Sequence, residues 1–356
     1  MSAFDQALGP AAAAMLQGRL DDPFAFLGPH GDDGRTVVRT FQPGAEGVEL
    51  VARADGAALG RLDEVAPGVF AGPLSAQVPY LLRIAWPGGT LHETEDPYSF
   101  GPLLSDFDLH LFAEGRHMEL ARVFGAQPAV VEGVEGVVFS VWAPNARRVS
   151  VVGDFNSWDG RRPPMRLRHE AGIWELFVPR LQVGERYKFE IAGADGSIHQ
   201  KADPLARQTE RPPATASVVA PPPNFRWGDA DWMEERARRH APDAPISVYE
   251  VHAGSWMKRE GEGNEALDWA GLTDKLVPYV AEMGFTHVEL MPIMGHPFGG
   301  SWGYQPLSQF APSARFGTPE NFAGFVDACH RAGIGVILHC GPAHFPADAH
   351  GLARFG

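Results

Sequence analysis

Residues 318–340 read TPENFAGFVDACHRAGIGVILHC. The first half has the grammar of a helix. Thr318 suits the N-cap, Pro319 the first helical position, where its missing N–H costs nothing, and Gly333 the stop. The second half, GVILHC, is an apolar run of strand length. The same alternation lies upstream, with ISVYEVH (246–252) as a strand, LTDKLVPYVAEMG (272–284) as a helix closing on Gly284, and THVELMPI (286–293) as a strand. Helices alternating with near-continuous apolar strands imply a parallel sheet with right-handed crossovers. A (β/α)8 TIM barrel takes roughly 250 residues, more than twice the length of the segment 246–356. That segment therefore predicts the first three βα units of an incomplete barrel.

Working back toward the N-terminus, the rhythm becomes short strands broken by turns. TVVRTF, GVELVA, GVFAG and PYLLRIAW are separated by PGAEG, ADG, APG and WPGG, which predicts an all-β sandwich over residues 21–112. A linker helix is expected over 113–127, within LFAEGRHMELARVFG (111–125). A second immunoglobulin-like β-sandwich module is expected over 128–222, built on GVVFSVWAP, RVSVVGDF, IWELFVP and RYKFEIAG. Period-2 alternation places Trp174, Leu176 and Val178, and Tyr187, Phe189 and Ile191, toward one core. Trp142 is also expected in the core. The proline-rich RPPATASVVAPPPNF leads into a connector over 223–245, and residues 1–20 read as a tail or short helix. The fold class is thus multidomain, with two sandwiches and then a partial barrel.

Composition narrows the function. A net charge of −14 opposes a nucleic-acid or anionic-membrane partner, whereas a neutral substrate needs no charge steering. The 41 Gly and 31 Pro fit turn-rich β modules. Cys329 and Cys340 read as reduced thiols of a cytoplasmic protein, and no metal-ligand spacing is present. The N-terminus lacks a basic n-region and a sustained apolar run, and no stretch reaches the roughly 18 apolar residues of a membrane span. A monomer without cofactor is expected.

Particular motifs add a resemblance. VWAPNARRVSVVGDFNSWDGR (141–161) resembles the glycogen-binding β-sandwich found on the N-terminal side of α-glucan-processing enzymes. ISVYEVHAGSW, GFTHVELMPIMGHPFGGSWGYQP, FAPSARFGTPENF and HFPADAHGLARFG resemble bacterial 1,4-α-glucan branching enzymes of the α-amylase superfamily. PFAFLGPH and ETEDPYSFGP are similar to the extra N-terminal β domain of the longer bacterial forms, so the resemblance runs over about 20–356. It implies a glycosyl transfer that moves an α-1,4-glucan segment onto a 6-hydroxyl, making an α-1,6 branch in glycogen. Retaining chemistry of this kind needs a carboxylate nucleophile and a carboxylic acid about 5–5.5 Å apart. The family takes the nucleophilic Asp, the acid Glu and a third Asp from strands four, five and seven, beyond the three strands read here. The chain by itself is therefore expected to lack catalysis. The alternative is a non-catalytic α-glucan-binding fragment or remnant.

The resemblance also implies site residues. Tyr304, in GSWGYQP, matches the tyrosine that stacks on a sugar ring beside the cleaved bond. His344, in PAHFP, matches a histidine that hydrogen-bonds substrate hydroxyls. Trp302 and His339 complete the substrate-side set, with loop packing the other reading of Trp302; His252, at the end of the first strand, reads as a structural histidine. His339 stands where the family carries Asp, and it cannot supply that residue's fixed negative charge. Glu289 reads as a paired structural carboxylate, and Asp348 and His350 match a branching-enzyme loop. In the second module Trp158 is the candidate glucan platform. The later hairpin, GADGSIH, offers Ile198 where some related modules carry a second aromatic.

Overall fold

The computed structural model describes residues 3–32, 34–259, 261, 265–341 and 344–355. They divide into two compact units, one reaching to Lys201 and joined by Phe355, the other Ala202–Arg354.

The first unit opens with helix α1 (Ala3–Leu16) and seven strands: β1 (Gly28–Asp32), β2 (Arg35–Phe41), β3 (Gly47–Ala52), β4 (Ala58–Ala66), β5 (Val69–Leu74), β6 (Tyr80–Trp86) and β7 (Thr90–Glu95). They form one continuous antiparallel sheet, in the order β1-β2-β5-β4-β3-β6-β7, where a sandwich would have two separate sheets. The reason lies in β4. Its first half pairs with β3 and its second half with β5, and register shifts on both sides bend the sheet. Val38 on β2, Leu50 on β3, Phe70 on β5 and Leu82 on β6 consequently share a single core.

The linker helix is a correction. Two short helices, α2 (Asp106–Ala113) and α3 (Leu120–Val123), replace it, with Gly115 at φ +67° between them. The chain continues through β8 (Gly125–Val131), β9 (Val134–Trp142), β10 (Arg148–Gly153), β11 (Arg166–Arg168), β12 (Ile173–Pro179), β13 (Arg186–Ala192) and β14 (Ile198–Lys201). Two antiparallel sheets result, β11-β12-β9-β8 and one containing β10-β13-β14. Trp174, Leu176, Tyr187, Phe189 and Ile191 are buried and Val178 partly so. The expectation for Trp142 does not hold: at the end of β9 it is 52% exposed, with the Phe112 ring edge-on at 6.0 Å. On β12, Glu175 and Phe177 are buried as well, so this strand is covered on both faces. Phe100 stands edge-on to Phe177 at 4.8 Å, and Glu175 accepts the Leu103 and Leu104 N–H groups.

The second unit contains β15 (Ser217–Val218), α4 (Ala230–Arg239), β16 (Val248–Val251), α5 (Trp269–Glu282), β17 (His287–Leu290), β18 (Met294–Gly295), β19 (Ser308–Pro312), α6 (Pro319–Arg331) and β20 (Gly335–Leu338). The connector over 223–245 thus carries a helix, α4, anchored by buried Trp232 stacked on His330. Strands β16, β17 and β20 form a parallel sheet in that order, with Val251 opposite Leu290 and Leu290 opposite Leu338. Thr318 caps α6 in a reciprocal box with Asn321, and Gly333 leaves the helix at φ +76°. One face of the sheet packs Val288 and Leu290 against Trp269, Leu276, Val280, Phe325 and Cys329 of the helices. The candidate site lies in the loops that follow β17 and β20.

Candidate substrate-binding site

The loop after β17 is shaped by backbone chemistry. Trp302 sits at φ +54° and Gly303 at φ +86°, and a Cβ on Gly303 would lie 2.1 Å from the Pro292 carbonyl oxygen. Only glycine lets the chain pass so close. The turn closes with Tyr304 N–H donating to the Ser301 carbonyl at 3.0 Å, which aims the Tyr304 ring across the end of β20. There the Tyr304 hydroxyl lies 3.4 Å from His339 Nδ1, with the two rings perpendicular. His339 is fixed by its own N–H, which donates to the Leu290 carbonyl.

Tyr304 and His344 line one cavity of about 280 Å³ with Phe298, Gly300, Ser301 and Gln305. An aromatic face, an imidazole and an amide around a solvent-open space can stack on an apolar ring face and bind its hydroxyl edge. Phe298 and Gln305 escape a reading of the sequence, because no pattern marks a loop residue as cavity-lining before the loop's path is known. Trp302 lies outside this cavity and stacks on His252 at 5.3 Å. Burial and the Lys258 charge hold the His252 imidazole below its ordinary pKa, and its Nδ1 contacts the Ser255 hydroxyl. A second cavity of about 520 Å³ touches His252, Met291, His296 and Arg315. Neither Asp348 nor His350 lines the Tyr304 cavity. The Asp348 carbonyl accepts the Gly351 N–H, and the His350 carbonyl accepts the Ala202 N–H. Glu289 faces His339 at 3.7 Å. Both cysteines are free thiols, with Cys329 pushed up to about 12 by burial and Cys340 exposed.

Trp158 belongs to the other unit. Ser157 and Trp158 are both left-handed, at φ 58°, which turns the indole to the surface, half-buried. Its Nε1–H donates to Asp154, whose carboxyl is held below the usual range first by that bond and then by Arg186. The indole face is therefore fixed while its polar edge is already occupied. Ile198, which opens β14, is 58% exposed.

Known proteins match the chain in the same layout. Residues 11–98 match the family described as alpha-1,4-glucan branching enzyme GlgB, N-terminal domain. Residues 123–206 match carbohydrate-binding module 48 (isoamylase N-terminal domain), and 254–351 match the alpha amylase catalytic domain. The chain is 60% identical over 347 residues to a 1,4-alpha-glucan branching enzyme GlgB of Pseudomonas putida, covering 96% of this chain and 47% of the relative. A Pseudomonas syringae enzyme of the same name is 59% identical over 353 residues, covering 97% and 48%. One from Ralstonia nicotianae is 58% identical over 368 residues, covering 96% and 47%. The chain thus spans about half the length of the curated relatives it matches. Over almost its entire length, the chain is similar to the amino-terminal portion of bacterial 1,4-alpha-glucan branching enzymes.

Proposed function

We propose that this chain serves 1,4-alpha-glucan branching, the transfer of α-1,4-glucan segments to 6-hydroxyls in glycogen, by holding the glucan at Tyr304 and His344. The observation that carries the reading is their meeting in one cavity, with Gln305 and Phe298 beside them. In this reading the three parallel strands are the opening units of a (β/α)8 barrel, and the second β module is an immunoglobulin-like glucan-binding sandwich. Trp302 supports the loop and His339 the Tyr304 hydroxyl. No carboxylate lines the Tyr304 cavity among the described residues. In this reading the acid, the nucleophile and a third carboxylate belong to strands four, five and seven of the fold, and the three strands described here hold glucan without cleaving it. The protein acts as a cytoplasmic monomer. Among the described residues, no helix is long and apolar enough to cross a membrane.

Affinity electrophoresis in glycogen, paired with an iodine-spectrum assay on amylose, tests this. The chain is expected to be retarded by glycogen and to leave the amylose–iodine spectrum unchanged. Tyr304→Ala and His344→Ala should each weaken retardation several-fold. If Trp158→Ala abolishes retardation while the two cavity variants do not, glucan is held by the β module and the second reading, a purely binding fragment, replaces the first.

A further inference from the structure

Three strands bring together groups that no linear motif could reveal. Glu250 on β16 is the register partner of Glu289 on β17, and Glu289 is in turn the partner of Ile337 on β20. His339 lies two residues beyond Ile337, hence on the same face. That face is the one turned away from the helices, whose core takes Val288 and Leu290 instead. One donor atom each from Glu250, Glu289 and His339 lies within 4.8 Å of the other two. His339 Nδ1 is 3.7 Å from Glu289 Oε1. Among the described residues neither glutamate pairs with a lysine or arginine. Two adjacent carboxylates without a resident cation repel each other and attract one.

We propose that Glu250, Glu289 and His339 form a binding site for one divalent transition-metal ion of the zinc class. The imidazole argues for that class over magnesium or calcium, which take oxygen donors. Zinc holds imidazole nitrogen and carboxylate oxygen at about 2.0–2.2 Å, so donor atoms must sit roughly 3.3 Å apart. Glu289 and His339 are both partly exposed, which leaves their side chains room to rotate inward from the present spacing. Remaining coordination positions open toward solvent and the Tyr304 hydroxyl, which already lies 3.4 Å from His339 Nδ1. The site rests on this geometry and shares His339 with the glucan reading, but zinc uptake is read without glucan.

Zinc chloride titrated calorimetrically into the full chain reads the site directly, with the visible spectrum of the cobalt-loaded chain as a second signature. One ion per chain is expected. His339→Ala and the isosteric Glu250→Gln/Glu289→Gln double variant should each weaken zinc at least about tenfold and remove the cobalt d–d bands. Cys340→Ser, beside the site, should bind as the unaltered chain does. If His339→Ala does not fold, as judged by circular dichroism, the glutamine variant decides. The proposal is overturned if the chain takes up no zinc, if the folded variants bind as tightly as the parent, or if Cys340→Ser abolishes binding.

Discussion

Gly303 and Asp96 show how single residues set the terms for their surroundings. At Gly303 a methyl group would meet the Pro292 carbonyl and the backbone would be left-handed, so Gly303→Ala combines αL strain with overpacking. A loss of about 3 kcal/mol in urea unfolding is expected. Glucan retardation should fall more than in Tyr304→Phe, because the whole turn that aims Tyr304 moves. Asp96 is fully buried, and burial pushes its carboxyl up to about 6, against hydrogen bonds from the Tyr80 hydroxyl and Tyr98 N–H that pull it down. The sign is the reverse of the usual aspartate. The folded state holds the proton more tightly than the unfolded chain, so this group favours folding fully below about pH 4. That contribution is lost as pH rises through about 6, to a total of about 3 kcal/mol. Asp96→Asn keeps the polar contacts without the charge. The stability difference between parent and Asp96→Asn, measured by urea unfolding from pH 4 to 8, should therefore move against the parent by roughly that amount; a flat difference refutes it.

Among the elements, those whose signals are local were legible and those decided by their covering were not. Helix α6 could be read because Thr318, Pro319 and Gly333 act within their own turns. Strands β16, β17 and β20 could be read because each is a short apolar run bounded by helix signals, even though one face carries Glu250 and Glu289. Trp142 and Glu175 show the failure. Period-2 alternation places side chains on alternate faces but does not say which faces are covered. The segment 97–104 covers the outer face of β12 and buries Glu175, whereas Trp142 at the end of β9 keeps half its surface in water. The break at Gly115 and helix α4 escape for a related reason, since a single glycine and a single buried tryptophan are weak periodic signals. The site was half legible. Tyr304 and His344 came from motif resemblance, while the Glu250–Glu289 pairing needed strand register. Glu175 also carries a prediction. Arg166 and Arg168 flank it at 3.4 and 3.6 Å, and it satisfies two backbone donors. Glu175→Ala leaves the Leu103 and Leu104 N–H groups without their acceptor and takes one carboxylate from both arginines, although Arg168 keeps Glu170 and Asp106 and Arg166 keeps the Phe100 carbonyl; a loss of about 3 kcal/mol is expected by denaturant unfolding. Glu175→Gln, which keeps one acceptor, should cost less.

For the molecule as a whole, the two compact units differ in how completely their apolar surface is used. In the first, β12 is covered on both faces, and Val137, Phe139, Val149 and Phe189 have no exposure at all. In the second, among the described residues β16 and β20 each pair along one side only, leaving ladder N–H and C=O groups at the sheet edges. Ile337 and Leu338 on β20 remain 38% and 47% exposed, and Ile246 before β16 is 60% exposed. Less apolar burial per residue and open strand edges lower the free energy of local opening, which is what a protease samples. Limited proteolysis with thermolysin, which cuts at apolar residues, should therefore remove segments within Ala202–Arg354 well before it nicks the strands between Gly28 and Lys201. Mass spectrometry of the resistant core gives the boundary. A core that ends near Lys201 supports unequal stability, whereas equal resistance of both units would show that the open parallel sheet is held far more firmly than its burial implies. Charge at the exposed edge offers the complementary check: Leu338→Lys should raise solubility without lowering the resistance of the first unit.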